Sequence, residues 1–387
     1  MATAAGTPLL PTYARYDVTF ARGDGSWLYT ESGARYLDLV AGIAVVGLGH
    51  CHPAALAAAN EQLARLWHVS NLYWSEPMLA LARRLSERFG GAQAFFCNSG
   101  AEAIEAALKY ARKATGRPGV VALEGSFHGR TLGALSVTGQ PPKRQAFEPL
   151  VPSVSFARLN DVESLVGAAR SDTGLILLEP VQGEGGIHPA AAEFLEAART
   201  LADELGALLV FDEIQTGVGR TGSFFAFEQL GVQPDAATLA KGLANGLPVG
   251  CLLVADSAAG GFEPGDHAST FGGNPVSCAA ACAVCDALTD ELLADVRTKG
   301  ELLAGGVAGL PGVLEVRGRG LLIGAELDRP AAELVSACLE RGLLVSSAGE
   351  RVLRLTPPLT IARDELELAL RLLAEALELS SEGGKVP

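Results

Sequence analysis

ALLVFDE, residues 207–213, is the stretch on which the fold turns. Its central run, LLVF (208–211), is apolar on both faces, which suits a strand buried in a parallel sheet. Asp212 ends the run. In open α/β sheets chemistry gathers at the carboxyl ends of the strands. A second, weaker run, AATLAK (236–241), ends in Lys241, 29 positions after Asp212. Neighbouring strands of this kind would present both side chains to one crevice. A buried carboxylate can hold a heterocyclic nitrogen protonated. A poorly solvated lysine has a lowered pKa and can form a Schiff base. Together they suit pyridoxal phosphate. On spacing alone the plainer reading is the stronger one: Asp212 caps the next turn and Lys241 is solvated.

The same pattern extends outward. AFF (94–96), VVAL (120–123), LILLE (175–179), AATLA (236–240) and GCLLVA (250–255) alternate with helical patterns. One helix, between LILLE and LLVF, carries Phe194, Ala198, Leu201 and Leu205. This predicts an α/β fold with a mostly parallel sheet and helices on both faces. A helix is expected near Pro53 with Leu56, Leu63 and Leu66 inward. Another is expected over 76–89 with Met78, Leu81, Leu85 and Phe89 at helical spacing. The first ~45 residues read as short strands and turns. After about residue 273 come an alanine-rich helix, strands LLIGAEL (321–327) and VLRLT (352–356), and a helix near 363–379. The expected organisation is a large domain over 46–273 and a smaller α/β domain over 274–387. Residues 1–45 pack with the smaller one, and the tail SSEGGKVP (380–387) is disordered.

The net charge of −14 argues against nucleic acid or an anionic membrane surface as a partner. An anionic substrate would need local arginines. No stretch is long and apolar enough for a membrane span. MATAAGTPLLPTYARYDV lacks a basic segment followed by an apolar core, so no signal peptide is expected. Seven cysteines suit free thiols in a reducing cytoplasm. Cys278, Cys282 and Cys285 share a helix face but sit among alanines without a histidine, which favours packing over a metal.

Several segments carry chemistry. In CNSGAEAIEAALKYARK (97–113), Ser99 is an N-cap and Glu102 completes a capping box. Gly100 opens a helix N-terminus suited to a phosphate. GSFHGRTLGALS (125–136) offers Phe127 for ring stacking and Arg130 for a carboxylate. His128 reads equally as a structural residue. EPVQGEGG (179–186) places Glu179 at a strand end and Glu184 in a glycine-rich loop. GVGRTG (217–222) matches a dinucleotide fingerprint, but DEIQT separates it from the strand, so NAD binding is a minor reading. In STFGGNP (269–275), Ser269 or Thr270 could donate to a phosphate or cap the next helix. Arg354 is a charge in an apolar strand, so an inward orientation would need a carboxylate partner.

These segments together resemble the class III (ornithine-type) pyridoxal-phosphate aminotransferases. GIAVVGLGHCHP (42–53), LWHVSNLYWSEP (66–77), RGRGLLIGAEL (317–327) and LRLTPPL (353–359) extend the match over nearly the whole chain. The resemblance implies a fold-type I pyridoxal-phosphate enzyme, with a small domain built from both termini. It implies that Lys241 anchors the cofactor and moves protons, that Asp212 pairs with the pyridinium nitrogen, and that Gln215 bonds the phenolic oxygen. Phe127 would cover a ring face. Ser99, Gly100 and Ala101 would cradle the phosphate, with Thr270 reaching it from a second subunit of a homodimer. Arg130 and Arg354 would hold substrate carboxylates, and Glu184 would switch Arg354. Ile43 and Ala44 would line the partner's pocket, and Ser269 would sit beside the substrate. The family usually has threonine where this chain has Ala101. The implied reaction moves a terminal amino group to 2-oxoglutarate, giving glutamate. GIAV with LWHVSNL leans to N-acetylornithine as donor. Succinyl-diaminopimelate, ornithine, carrier-bound lysine and 4-aminobutyrate remain open, as does a non-catalytic binding protein on the same fold.

Overall fold

The computed structural model describes residues 8–382. Seven strands form the central sheet, in the order Ala92–Cys97, Gly250–Ala255, Ala236–Leu239, Leu208–Asp212, Thr173–Leu178, Gly119–Leu123, Val154–Ala157. Six point the same way, and Gly250–Ala255 runs antiparallel to both its neighbours.

Alternate residues of each strand leave on opposite faces, and both faces are covered. On one, Val120, Ala122, Leu175, Leu177 and Val210 pack with Ile104, Ala107 and Tyr110 of the helix Gly100–Thr115. On the other, Val121, Ile176, Leu209 and Phe211 belong to a core with Phe194 and Ala198 of Ala192–Leu205 and Leu81, Leu85 and Phe89 of Glu76–Phe89. This double coverage is why the runs read as uniformly apolar. Each fully buried side chain such as Phe194 or Phe211 contributes about 1.5–3 kcal/mol.

The ends of the chain share a smaller sheet. Phe20–Asp24, Trp27–Thr30 and Arg35–Asp38 form an antiparallel meander whose last strand pairs in parallel with Leu343–Leu344. A third, antiparallel sheet, in the order Val313–Arg319, Leu322–Leu327, Val352–Leu355, Ser346–Ser347, carries Arg354. The last helix runs Arg363–Glu382, so 380–382 are helical rather than disordered. The rest of the tail, 383–387, lies outside the described residues.

Two expectations need correction. The helix Pro53–Leu63 does not turn its leucines inward: Leu56 is 47% exposed, Leu63 39% and Leu66 38%. It buries Ala55 and Gln62 instead and packs on the alanine-rich helix Pro275–Ala287. Two helices with small residues at their contact approach closely, which leaves the leucines on the outer side. That helix is capped by Asn274, whose side chain accepts from Val276 N at 3.0 Å and Ser277 N at 3.3 Å, and not by Ser269 or Thr270. Its Cys278 and Cys285 are core residues. Among the described residues, no helix is long and apolar enough to cross a membrane.

Candidate active site

Parallel strands end at one edge, and a cavity of about 400 Å³ opens there. Asn98–Ala101, Phe127–Arg130, Glu179, Asp212, Gln215 and Lys241 line it, each at a strand end or in the turn that follows one, with Asp212 and Gln215 sharing a strand end. Asp212 and Lys241 belong to adjacent parallel strands, with Asp212 opposite Thr238. Lys241 opens a single 3₁₀ turn, Lys241–Ala244, and takes a left-handed φ of 40°. A non-glycine residue holds that conformation only where its surroundings impose it.

Asp212 is buried and fixed on both oxygens. One accepts from Ile214 N at 3.0 Å and from the Thr238 hydroxyl at 3.3 Å. The other lies 2.7 Å from His128 Nδ1. Burial opposes a charge on His128, but the hydrogen bond and charge of Asp212, with Glu179 nearby, outweigh it and raise the imidazole pKa. Glu179 accepts from Phe127 N at 3.0 Å and from Gly183 N at 3.2 Å. Burial raises its carboxyl above the usual range, against the pull of His128. Lys241 makes no ion pair among the described residues. Burial lowers its pKa to about 8, with Glu184 acting in the opposite direction and Arg354 reinforcing the fall.

The loop of Ser99 is a helix start with free amides. Ser99 caps Gly100–Thr115, its hydroxyl accepting from Glu102 N at 3.3 Å. The capping box is displaced by one residue, because Glu102 reaches Asn98 N at 2.5 Å rather than Ser99 N. The first amides of the helix, at Gly100 and Ala101, have no carbonyl partner in their own helix. Gln215 is held above the cavity floor, and its Oε1 is buried without a hydrogen-bond partner. Gly183 makes room for it, since a Cβ there would come within 2.3 Å of that oxygen. His128 Nε2 is also buried and unpartnered.

Arg354 is 2% exposed and forms an ion pair with Glu184. Burial opposes the Glu184 charge, but Arg354 beside it, with Lys241 and Lys143, holds the carboxyl below its ordinary range. Arg130 is exposed, with its guanidinium 5.5 Å from the centroid of the Phe127 ring.

Arg354 lines a second cavity beside this one, and four further predicted residues also stand apart from it. Ile43 and Ala44 lie in a left-handed run in which Ala41, Gly42, Ile43 and Ala44 have φ of 49°, 65°, 65° and 59°. Asp38 holds its start, accepting from Val40 N at 2.8 Å and Ala41 N at 2.9 Å. Ile43 is 39% exposed and lines that second cavity with Arg354, and Glu184 is common to both cavities. Ser269 accepts from the Asn98 side chain at 3.2 Å, just behind the cavity wall, and Thr270 is exposed.

GVGRTG is not a nucleotide loop, for it opens no α-helix and only a short 3₁₀ turn, Ala226–Gln229, follows it. Arg220 within it is buried and donates to the carbonyls of Leu321 at 3.0 Å and Pro357 at 2.5 Å. Burial without a carboxylate lowers its pKa to about 9. The contact of His128 with Asp212 was not legible, since nothing local to residue 128 announces a partner 84 positions away.

A mostly parallel α/β sheet whose strand ends place one lysine and one buried aspartate in the same cavity, beside a helix N-terminus, fits a cofactor-dependent transferase. The chain belongs to the family described as Aminotransferase class-III, whose model matches residues 11–377. This family depends on pyridoxal phosphate, and its solved members include a transaminase with that cofactor bound. Among curated relatives, the acetylornithine aminotransferase of Corynebacterium efficiens is 48% identical, over 95% of this chain and 94% of its own. Among solved structures, the ornithine aminotransferase of Toxoplasma gondii superposes with a TM-score of 0.92 at 31% identity, covering 97% of this chain and 94% of its own. The N-acetylornithine aminotransferase of Stenotrophomonas maltophilia is 36% identical with a TM-score of 0.83, covering 96% of this chain and 98% of its own.

Proposed function

We propose that this protein moves the terminal (δ) amino group of N2-acetyl-L-ornithine to 2-oxoglutarate, giving N-acetylglutamate semialdehyde and L-glutamate, a step of arginine biosynthesis. The observation that carries this reading is the 48% identity over 95% of the chain to a protein named acetylornithine aminotransferase.

The cavity fits pyridoxal phosphate on three counts. It has a helix N-terminus for a phosphate, a buried carboxylate, and an unpartnered buried amide oxygen on Gln215. Ser99, Gly100 and Ala101 would take the phosphate through the hydroxyl and free amides. Asp212, held by His128, would face the ring nitrogen, and Gln215 the phenolic oxygen. Phe127 would cover one ring face. When bound, the cofactor supplies an electron sink for the bonds broken at the substrate carbon. Lys241 Nζ, lowered to a pKa of about 8, is suited to anchor it and to carry a proton from and to that carbon.

Charge orders the substrates. Arg130 would hold the carboxylate far from the reacting amine, and Arg354 the α-carboxylate of glutamate. Glu184 would occupy Arg354 while the first substrate is bound and release it for the second. Ile43, Ala44, Ser269 and Thr270 fit a role across a homodimer, with Thr270 reaching the partner's phosphate. Exposed Trp67, Leu72, Tyr73, Trp74 and Phe271 support such a contact. We place the dimer in the cytoplasm, with each chain divided into a large domain, 46–273, and a small one, 274–387 with 1–45, of which 1–7 and 383–387 lie outside the described residues.

A glutamate-coupled assay tests the donor, with N-acetylornithine compared against ornithine, succinyl-diaminopimelate and 4-aminobutyrate. Preferred turnover of N-acetylornithine supports the reading, and preference for another amine replaces it. The TM-score of 0.92 to an ornithine aminotransferase makes ornithine the second donor to try.

A further inference from the structure

Lys143 is a charged group that none of the assigned roles uses. It sits in the short helix Pro141–Arg144, half-buried, with its ammonium 4.8 Å from the centroid of the Phe127 ring. The Arg130 guanidinium lies 5.5 Å from the same centroid. Two cations thus converge on one ring that lines the cavity. Neither makes an ion pair among the described residues, whereas Arg354 is matched by Glu184. Burial holds the Lys143 ammonium below its ordinary range, and the positive charges of Arg130 and Arg354 add to the fall while Glu184 opposes it. A partly desolvated ammonium beside another cation is unfavourable until an anion arrives. The chain as a whole carries −14, so a dianion gains nothing from the overall field and depends on such local charges.

We propose that Lys143 is a specificity-determining residue that joins Arg130 in holding the distal carboxylate of the dicarboxylate substrate, while Arg354 takes the other. This rests on the reading of the protein as an aminotransferase that uses 2-oxoglutarate. Both cations gain from the Phe127 ring, which lines the cavity beside Arg130, so the ring holds the Lys143 ammonium next to that wall. The carboxylate then meets a guanidinium fork and a mobile ammonium together.

The test uses the holoenzyme and glutarate, a dicarboxylate that cannot react. Lys143→Met removes the charge and keeps the stem, Lys143→Gln does so with a polar end, and Lys143→Arg restores a cation. Calorimetry is expected to find the glutarate Kd raised about tenfold in the Met and Gln variants, the share of one hydrogen bond to a charged group, and largely restored in the Arg variant. In turnover the loss falls on KM for 2-oxoglutarate, and KM for pentylamine, which has no carboxylate, stays at the parent value. Parent-like glutarate binding in both neutral variants overturns the proposal. So does a pentylamine KM that rises as much as that of 2-oxoglutarate, which would mark a structural role. The calorimetry needs no turnover. A parent that moves no amino group to 2-oxoglutarate therefore overturns the activity reading alone, and the glutarate ratio still decides the role of Lys143.

Discussion

At the residue scale, Lys241 is held in an unfavourable state before any ligand arrives. Its pKa of about 8 lies below the ordinary 10.5 because burial opposes the ammonium form. Below pH 8 the folded and unfolded chains both carry the charge, and the folded one solvates it poorly. Between 8 and 10.5 the unfolded chain binds more protons, so this contribution to stability rises with pH. Cofactor-free Lys241→Met is therefore expected to exceed the cofactor-free parent in stability at pH 7 by about 2 kcal/mol. The gap should close as the pH rises from about 8 to 10.5, which urea denaturation at both ends of that range checks. Asp212 and Lys241 stood out in sequence because each ends an apolar run, but spacing alone favoured a turn cap and a solvated lysine, and only the family resemblance made them a pair. The partner that fixes Asp212 was not legible, because His128 reaches it only through folding.

Elements place these residues, and small approaches between them matter most. The strand Gly250–Ala255 runs against the direction of its neighbours and passes behind the loop of Ser99. A Cβ on Gly250 would come within 2.3 Å of the Ser99 carbonyl. Gly250→Ala is expected to cost about 1–3 kcal/mol by overpacking and to loosen the cofactor, although residue 250 touches no ligand. Thermal unfolding and cofactor retention on dialysis check both effects. The loop EPVQGEGG behaves differently, because its Glu184 answers a buried charge. Glu184→Gln leaves Arg354 without a carboxylate and should destabilise the protein by about 3 kcal/mol, read from the shift in the urea midpoint. It should also weaken discrimination between N-acetylornithine and glutamate in the coupled assay. The strands of the central sheet and the buried face of the helix Glu76–Phe89 followed from period, as Leu81, Leu85 and Phe89 illustrate, but the strand order did not. The edge strand Val154–Ala157 escaped notice because Ser155 breaks its four residues, VSFA, and leaves no apolar run. Leu56 and Leu63 misled because an apolar helix face does not say which surface will cover it.

At the scale of the whole molecule, those uncovered leucines become informative. Trp67 at 67% exposure, Leu72 at 84% and Trp74 at 79% are too large and too apolar to be left to water together. Asn71 ties their segment to the Ser269 and Gly272 carbonyls at 2.9 Å, so Thr270 travels with that surface. Sedimentation is expected to find a dimer for the parent. A Trp67→Asp, Trp74→Asp double variant should be monomeric and lose at least about tenfold in cofactor affinity with its activity, since a bond from Thr270 would be gone. A monomeric, fully active variant would refute the shared site. Arg220 acts at the same scale. Its guanidinium joins the loop that follows Asp212 to Leu321 and Pro357, at one end of two adjacent strands of the sheet that carries Arg354. With Arg354 in its proposed role, the gap between the reacting end of a substrate and its anchored end would be set like the jaws of a caliper. How many carbons the enzyme prefers between amine and carboxylate would then be measured, in part, by a clasp outside the cavity.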